Sequence, residues 1–350
     1  MKQQQQSLLE ELSRNFTGDF KEDITYIVNE VKEHFKELEK DEALRKHIEK
    51  VLLEAYPEES APIQQLWMDL TTGSDDAFIQ RMNQLVAEDR ATDAQFEMNV
   101  FINAMESEFK DYKPKLNVKY YSVFNLIDLF IFSWYESAGL ELRPTKRDYS
   151  RLYIAYAEIL MAANEWQEAA DAYQQALLWN PYNAKTIFNL AGVYLLMEQY
   201  GMSYATLFNG FRHAIRREDF SRGMSYLAYF YEKKGEKQAA AQLYYISLAW
   251  DDNNSRSRER LNHLQEKIGQ VTPLEGEELL QFKKDYRIVD YPNPDMVNAL
   301  KAVASRSMIM HAYQSAYVYY GLYLDLVEEA EDYIVDTVRQ LDKKLKNKTE

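Results

Sequence analysis

The sequence predicts an all-α protein, an α–α superhelix of helical hairpins with helical regions on both sides. Apolar residues recur at helical spacing along most of its 350 residues. Glycine and proline are scarce, with 11 and 8 copies, whereas a fold of many short strands and tight turns needs more of both. A helix–turn–helix pattern also recurs in the centre with a period of about 34 residues.

The N-terminal part divides into a flexible N-terminus, residues 1–19, and a helical region, residues 20–115. The helical region carries apolar stripes at helical spacing, the clearest over residues 24–38 and 44–55. Two interpretations stay open, namely degenerate repeats and a separate small bundle. The segment around Pro114 is the expected boundary.

Residues 116–149 are predicted to form a buried helix and a connection. The stretch from Tyr120 to Tyr135 is strongly apolar, but it is shorter than the roughly 20 residues that cross a membrane. Asn125 and Asp128 also interrupt it. We therefore expect a helix buried on nearly every side and no membrane association. Asp128 is predicted to be a core carboxylate with a hydrogen-bond partner, rather than a residue that faces a groove.

The central helix from Glu165 to Pro181 carries the most informative pattern. Ala169 and Ala176 lie one heptad apart on one face, where small side chains let two helices approach closely, and Tyr173 lies between them. Proline at the end cannot continue the helix and disfavours helical geometry in the residue before it. This pattern predicts the second helix of a hairpin that turns at Pro181.

Three units of this kind start at Ser150, Ala184 and Ser221, so the offsets are 34 and 37 residues. We attribute the three extra residues to a longer loop. In the second unit Ser203 and Gly210 stand where the first has alanines, so its second helix is the weakest prediction. In the third unit, Gly235 supplies the helix stop, because glycine tolerates left-handed backbone geometry.

These positions resemble the tetratricopeptide repeat family over about residues 150–254, and we place the repeats at 150–268 together with a capping helix over residues 261–268. The resemblance implies a scaffold that binds a protein or peptide in a concave groove. In such proteins outward-facing residues of each first helix line that groove. Here they would be Ile154, Glu158, Lys185, Phe188, Asn189, Leu195, Arg222, Tyr226, Tyr229 and Glu232.

A well-known subclass of the family clamps the C-terminal carboxylates of chaperones. Of the clamp residues only Asn189 and Arg222 match, while Ile154 and Glu158 stand where the clamp wants a lysine and an asparagine. The difference indicates another ligand. The mixture of residues predicts a partly apolar peptide with at least one charge.

Composition excludes several classes of function. A net charge of −15 repels phosphate backbones, so we expect no nucleic acid partner, and the basic run at 212–222 is interpreted as a solvated loop. The sequence has no cysteine, which fits a reducing compartment, and no secretory signal is visible, so the expected location is the cytoplasm. No catalytic, cofactor or metal motif is found, and we expect a non-enzymatic protein without cofactors.

Residues 269–350 are predicted to be a C-terminal helical region whose tyrosines, including Tyr313 and Tyr320, pack between helices. Two alternatives to a general binding scaffold follow from resemblance. One is a bacterial peptide-responsive regulator with an N-terminal helical output module. The other is a secretion-type chaperone for an unfolded client. The pattern leaves the identity of the partner and the oligomeric state open.

Overall fold

A computed structural model describes most of the chain. The described residues are 15–31, 42–71, 74–113, 115–136, 139–289, 291–327 and 329–346. The chain forms two compact units, a first unit of residues 1–121 with 141–176 and a second unit of residues 122–140 with 177–350. The first 14 residues of the predicted flexible N-terminus lie outside the described residues.

Within the described residues the structure has 17 α-helices, two short 3-10 helices at Pro57–Glu59 and Ser107–Tyr112, and two strands. The strands are β1 Val118–Tyr121 and β2 Glu141–Pro144, which pair in parallel. In chain order the α-helices are α1 Phe20–Val31, α2 Glu42–Ala55, α3 Ser60–Thr71, α4 Asp75–Ala87, α5 Ala91–Glu106, α6 Leu126–Tyr135, α7 Tyr149–Ala162, α8 Trp166–Trp179, α9 Ala184–Leu196, α10 Tyr200–His213, α11 Arg217–Lys233, α12 Lys237–Trp250, α13 Ser255–Ile268, α14 Gly276–Asp285, α15 Pro294–Ile309, α16 Tyr313–Leu326 and α17 Asp332–Lys346. The predicted all-α class is confirmed.

The core of the first unit joins apolar faces of α1, α2, α3 and α5. Ile24, Ile27 and Val28 of α1 are buried there with Ile48 and Leu52 of α2, as the apolar stripes predict. The remainder of the first stripe, residues 32–38, lies outside the described residues.

Part of the predicted flexible N-terminus is held in place. The buried carboxylate of Asp23 accepts hydrogen bonds from the backbone N–H groups of Thr17 at 2.8 Å and Gly18 at 3.1 Å. These bonds satisfy backbone donors just before α1, where a helix has no internal acceptor for them. Residues 17 and 18 are therefore tied to the first unit.

The second unit is built from consecutive hairpins. Helix α9 packs on α10, α11 on α12, and α15 on α16, while α13 packs on α12 and α17 on α16. Tyr319, Tyr320 and Tyr323 of α16 are buried, and the Tyr319 hydroxyl donates to the carbonyl of Leu126 at 3.1 Å. The tyrosines of this region therefore serve packing, as expected.

One turn geometry recurs along the chain. Asn164, Glu198 and Gly235 each follow the first helix of a repeat with left-handed backbone, at φ values of 66°, 59° and 84°. The next residue in each case donates its N–H to a carbonyl five residues back, at 2.9, 2.8 and 2.9 Å. This is the Schellman closure of a helix end. Asp89, between α4 and α5, and His311, between α15 and α16, repeat it.

The extra three residues of the third repeat do not form a longer loop, contrary to the prediction. The linker before α11 consists of residues 214–216, whereas the linker before α9 consists of residues 180–183. Instead α11 has 17 residues where α9 has 13. Glu218 in its first turn favours the earlier start, because a carboxylate stabilises a helix N-terminus.

The apolar stretch from Tyr120 to Tyr135 is also corrected. Its helix begins only at Leu126, where the Asn125 side chain accepts the N–H of Asp128 at 2.8 Å and caps the helix. Phe124 is 55% exposed and Trp134 is 38% exposed, so the segment is not buried on nearly every side. None of the helices that the structure describes is long and apolar enough to span a membrane.

Asp128 is a buried carboxylate with partners, as predicted. Its Oδ1 accepts from Nη2 of Arg216 at 2.6 Å, and its Oδ2 accepts from the side-chain amides of Asn180 at 3.2 Å and Asn183 at 3.0 Å. This polar cluster ties α6 to the turn before α9 and to the residue before α11. Asp219 lies beside it, with Oδ2 4.0 Å from Nη1 of Arg216.

The carboxyl group of Asp219 predicts a pH dependence of stability. Burial raises its pKa from 3.8 to about 6, and the nearby Asp128 carboxylate adds to the rise, while Arg216 opposes it. Between about pH 4 and pH 6 the folded protein therefore holds a proton that the unfolded chain releases, so stability falls as the pH rises through this window. We expect Asp219→Asn to flatten this slope and to raise the free energy of unfolding at pH 7 by about 1–2 kcal/mol. Urea unfolding at several pH values measures both, and an unchanged slope would contradict the assignment.

Candidate functional site

A polar and aromatic surface runs across α9, α11 and α13 in the second unit. It takes one stripe from each helix, at the spacing of three or four residues that places side chains on one helical face. We call it the Arg–Tyr face. Its members are Lys185, Asn189 and Gly192 of α9, Arg222, Tyr226 and Tyr229 of α11, and Arg256 and Arg260 of α13, with Glu232 at one end.

The Tyr226 ring packs against Gly192, and its hydroxyl is hydrogen-bonded to Arg256. A Cβ atom at Gly192 would lie 2.4 Å from Cε1 of Tyr226, so the ring occupies the space that a side chain on α9 would need. Arg256 donates to the Tyr226 hydroxyl at 2.9 Å, and its guanidinium carbon lies 5.3 Å from the ring centre. Such a contact combines a hydrogen bond with cation–π attraction. The half-buried ring is therefore presented in a fixed position.

Tyr229, one turn further along α11, has a similar environment. The guanidinium carbon of Arg260 lies 4.3 Å from its ring centre, and Nη1 of Arg260 lies 3.7 Å from Oε1 of Glu232. Glu232 in turn accepts a hydrogen bond from the Tyr244 hydroxyl at 3.1 Å. Burial, followed by the Glu232 charge, raises the pKa of Tyr244 well above its ordinary value, so this phenol stays a donor.

At the other end of the face, Arg222 donates to the side-chain oxygen of Asn189 at 3.3 Å. Asn189 is buried and Arg222 is half-buried, while Lys185 is exposed one turn earlier on α9. The Arg–Tyr face thus combines four cationic side chains and one carboxylate with two tyrosine rings. This local excess of positive charge contrasts with the net charge of −15 of the chain.

Two residues predicted to line the groove are core residues instead. Phe188 is 0% exposed and Leu195 is 1% exposed. The Phe188 ring lies 5.0 Å from that of Phe211 in an edge-on contact. Their burial has a simple cause, because every residue of α9 except Lys185 and Leu196 is buried. Phe188 and Leu195 therefore do not line a surface groove in this structure, contrary to their predicted placement.

The other predicted residues are distributed between the two units. Ile154 is half-buried and Glu158 is exposed, and both belong to α7 of the first unit. Lys185, Asn189, Arg222, Tyr226, Tyr229 and Glu232 belong to the Arg–Tyr face of the second unit. The structure thus brings six of the predicted residues onto one surface.

Sequence analysis missed Arg256 and Arg260. The capping helix was expected at residues 261–268, but α13 begins at Ser255, where the Asn254 side chain accepts the N–H of Ser257 at 3.0 Å. An asparagine cap followed by two arginines four residues apart is a signal that could have found this stripe. No group of three or more His, Asp or Glu residues in the described ranges is arranged to hold a metal ion.

The helices between residues 149 and 250 form a repeated structural unit. Each of three consecutive helix–turn–helix units ends its first helix with the same Schellman closure, and alanine or serine is buried in each second helix. These are tetratricopeptide-like units. Their first helices are α7, α9 and α11, and α13 follows as a further helix packed on α12.

Two solved structures are distantly similar to this chain. No protein-family model and no curated protein matches the sequence. A solved structure described as a functional characterization of Pseudomonas aeruginosa pilF is 14% identical, covers 77% of this chain and 96% of its own, and has a TM-score of 0.37. The crystal structure of the P58(IPK) TPR domain is 14% identical, covers 92% of this chain and 94% of its own, and has a TM-score of 0.18. At these values neither structure assigns a function to this chain.

Proposed function

We propose that this protein is a non-enzymatic binding scaffold that holds an acidic, partly apolar segment of a partner protein on the Arg–Tyr face. The observation that carries the proposal is the pairing of Arg256 and Arg260 with Tyr226 and Tyr229. Tyrosine and arginine are among the residues enriched in the parts of interfaces that supply most of the binding energy. Tyrosine rings offer apolar contact, and guanidinium groups bind carboxylates in two-pronged geometry.

Preorganisation strengthens this argument. Binding normally has to order long side chains, at a cost of about 0.5–1.5 kcal/mol for each one. Arg256 is already held by the Tyr226 hydroxyl and Arg222 by Asn189, so part of that ordering precedes the ligand. The guanidinium donors that these bonds leave over are available to a ligand, because each arginine has five N–H donors.

Charge supports an acidic rather than a basic ligand. The face carries Lys185, Arg222, Arg256 and Arg260 against the single carboxylate of Glu232, which Arg260 and Tyr244 already engage. The net negative charge of the chain would repel an acidic segment, whereas the positive charge of the Arg–Tyr face would attract it. This difference favours binding at the Arg–Tyr face. Because Ile154 and Glu158 replace the usual clamp residues, the ligand need not end in a chain terminus.

The test compares two variants of equal charge in the full chain. Arg256→Gln/Arg260→Gln alters the Arg–Tyr face, and Arg306→Gln/Arg339→Gln alters exposed arginines on other helices. Synthetic peptides that combine an aromatic residue with several glutamates serve as probes, and fluorescence polarisation measures their binding. We expect the first variant to weaken binding about tenfold or more, the second to leave it unchanged, and higher salt to weaken the wild type. Equal binding by all three proteins would refute the proposal.

A further inference from the structure

A second recessed surface of the second unit surrounds Trp250 at the end of α12. It is a cleft of about 480 Å³, walled by the start of α11, the ends of α12 and α16, and α14. A neighbouring cleft of about 390 Å³ shares Arg217 and Trp250 with it. We call the two together the Trp250 cleft. Most of the larger wall is apolar, formed by Ile246, Trp250, Leu279, Pro292, Leu326 and Val327.

Apolar side chains at the cleft, and near its lining residues in sequence, are exposed. Tyr291 lines it and is 60% exposed, and Leu280 and Val289 are also exposed nearby in sequence. Trp250 itself is rigid, because its ring stacks on Phe220 with centroids 4.8 Å apart. Large exposed apolar surface around a recess marks a contact site more often than it marks ordinary protein surface. The Trp250 cleft is therefore suited to receive a large apolar side chain.

The Arg217 guanidinium lies beside Trp250, but its donors are already engaged. Its guanidinium donates to the backbone carbonyls of Trp250 at 3.1 Å, Ala249 at 3.1 Å and Asp325 at 3.4 Å. It also lies 5.0 Å from the Trp250 ring centre. These carbonyls belong to the last turns of α12 and α16, where helices leave acceptors unpaired. Arg217 is thus a structural clamp and does not offer its charge to a carboxylate ligand.

The rim of the Trp250 cleft is rich in carboxylates. Glu218, Asp251 and Asp252 line the smaller cleft, and Asp325 lines the larger one. Among the residues that the structure describes, the Glu218 and Asp325 carboxylates accept no hydrogen bond. Partial desolvation raises the pKa of Asp325, and the Glu218 charge adds to the rise while Arg217 opposes it.

We propose that the Trp250 cleft docks a second kind of protein segment, one in which a lysine or arginine stands beside a large apolar side chain. The apolar group would lie against Trp250 and Leu279, and the cation would face Glu218 and Asp325. Lys283 is on the α14 wall, which orients the cation toward the opposite wall. The charge preference is opposite to that of the Arg–Tyr face, so the chain would be an adaptor for an acidic segment and a basic one.

The experiment uses the full chain and two sets of short synthetic peptides. One set combines a phenylalanine or leucine with arginine and lysine at varied spacing, and the matched set replaces the basic residues with glutamate. Binding is measured by fluorescence polarisation for the wild type and for Glu218→Gln/Asp325→Asn. The matched control is Glu266→Gln/Asp336→Asn, which makes the same charge change at two exposed carboxylates elsewhere. Circular dichroism confirms that all variants are folded.

We expect the wild type and the control to bind the basic peptides, and Glu218→Gln/Asp325→Asn to bind them about tenfold more weakly. Arg256→Gln/Arg260→Gln should keep this binding, which separates the Trp250 cleft from the Arg–Tyr face. Equal losses in the control would mean that net charge alone attracts the peptides, and this would overturn the proposal. Failure of the wild type to bind the basic peptides would overturn it as well, whatever the acidic peptides do at the Arg–Tyr face.

Discussion

Asp128→Ala is expected to lower the free energy of unfolding of the second unit by about 3 kcal/mol. The carboxylate is the common acceptor for Arg216, Asn180 and Asn183, which belong to segments far apart in sequence. Its removal leaves the half-buried Arg216 guanidinium with only the Asp219 carboxylate, 4.0 Å away, and takes the acceptor from two side-chain amides. Unpaired buried donors cost more than the bonds themselves contribute.

Urea unfolding of the full chain measures this effect. A double-mutant cycle with Arg216→Met should recover a large part of the loss, because removing both partners also removes the unpaired charge. As a control, Asp336→Ala removes a pair that is mostly exposed and should change stability by less than about 0.5 kcal/mol. If Asp128→Ala cost no more than Asp336→Ala, the polar cluster would not hold these segments together.

Gly223→Ala is expected to lower the free energy of unfolding by about 2–3 kcal/mol. A Cβ atom at Gly223 would lie 2.6 Å from Cζ of Phe188 and 2.6 Å from Cε1 of Phe211. Gly210 contacts the same ring, because a Cβ there would lie 2.5 Å from Cε1 of Phe188. The Phe188 ring therefore fills the space that two glycines leave open, and the buried rings have little room to move.

The control for this substitution lies in the same fold. A Cβ atom at Gly201 of α10 would meet no other atom within 4 Å, so Gly201→Ala should raise stability by about 0.5–1 kcal/mol through helix propensity alone. Combining Gly223→Ala with Phe188→Leu should recover part of the loss, since the smaller side chain makes room. Urea unfolding of the wild type, the two alanine variants and the double variant measures these differences. Equal stability of the two alanine variants would contradict the packing argument.

The repeat architecture could be predicted because its signals are local. Ala169 and Ala176 are buried in α8, the helix ends at Trp179 before Pro181, and Gly235 has left-handed backbone, as the pattern indicates. Each signal depends on the chemistry of a few neighbouring residues.

The degraded second repeat is explained only in three dimensions. Gly210 makes room for Phe188, and the Ser203 hydroxyl, which replaces a methyl group, donates to the carbonyl of Ala191 at 2.9 Å.

The candidate site was less accessible to sequence analysis. Arg222, Tyr226 and Tyr229 could be placed on one face of α11 from their spacing, and they lie on the Arg–Tyr face. For α9 the exposed face could not be predicted from spacing. Apolar residues occur on all sides of this helix, so their periodicity does not show which side another helix covers. Phe188 was misplaced for this reason.

The sequence by itself determined the helical class, the period and the ends of the central helices, because capping, proline and small-residue spacing act within a few residues. Only the tertiary structure decided which helix faces are covered, that Arg256 and Arg260 reach Tyr226 and Tyr229, and that Asp128 meets Arg216. The physical reason is that burial and pairing depend on contacts between distant segments. Two groups 88 positions apart share an ion pair here, and no local pattern specifies their meeting.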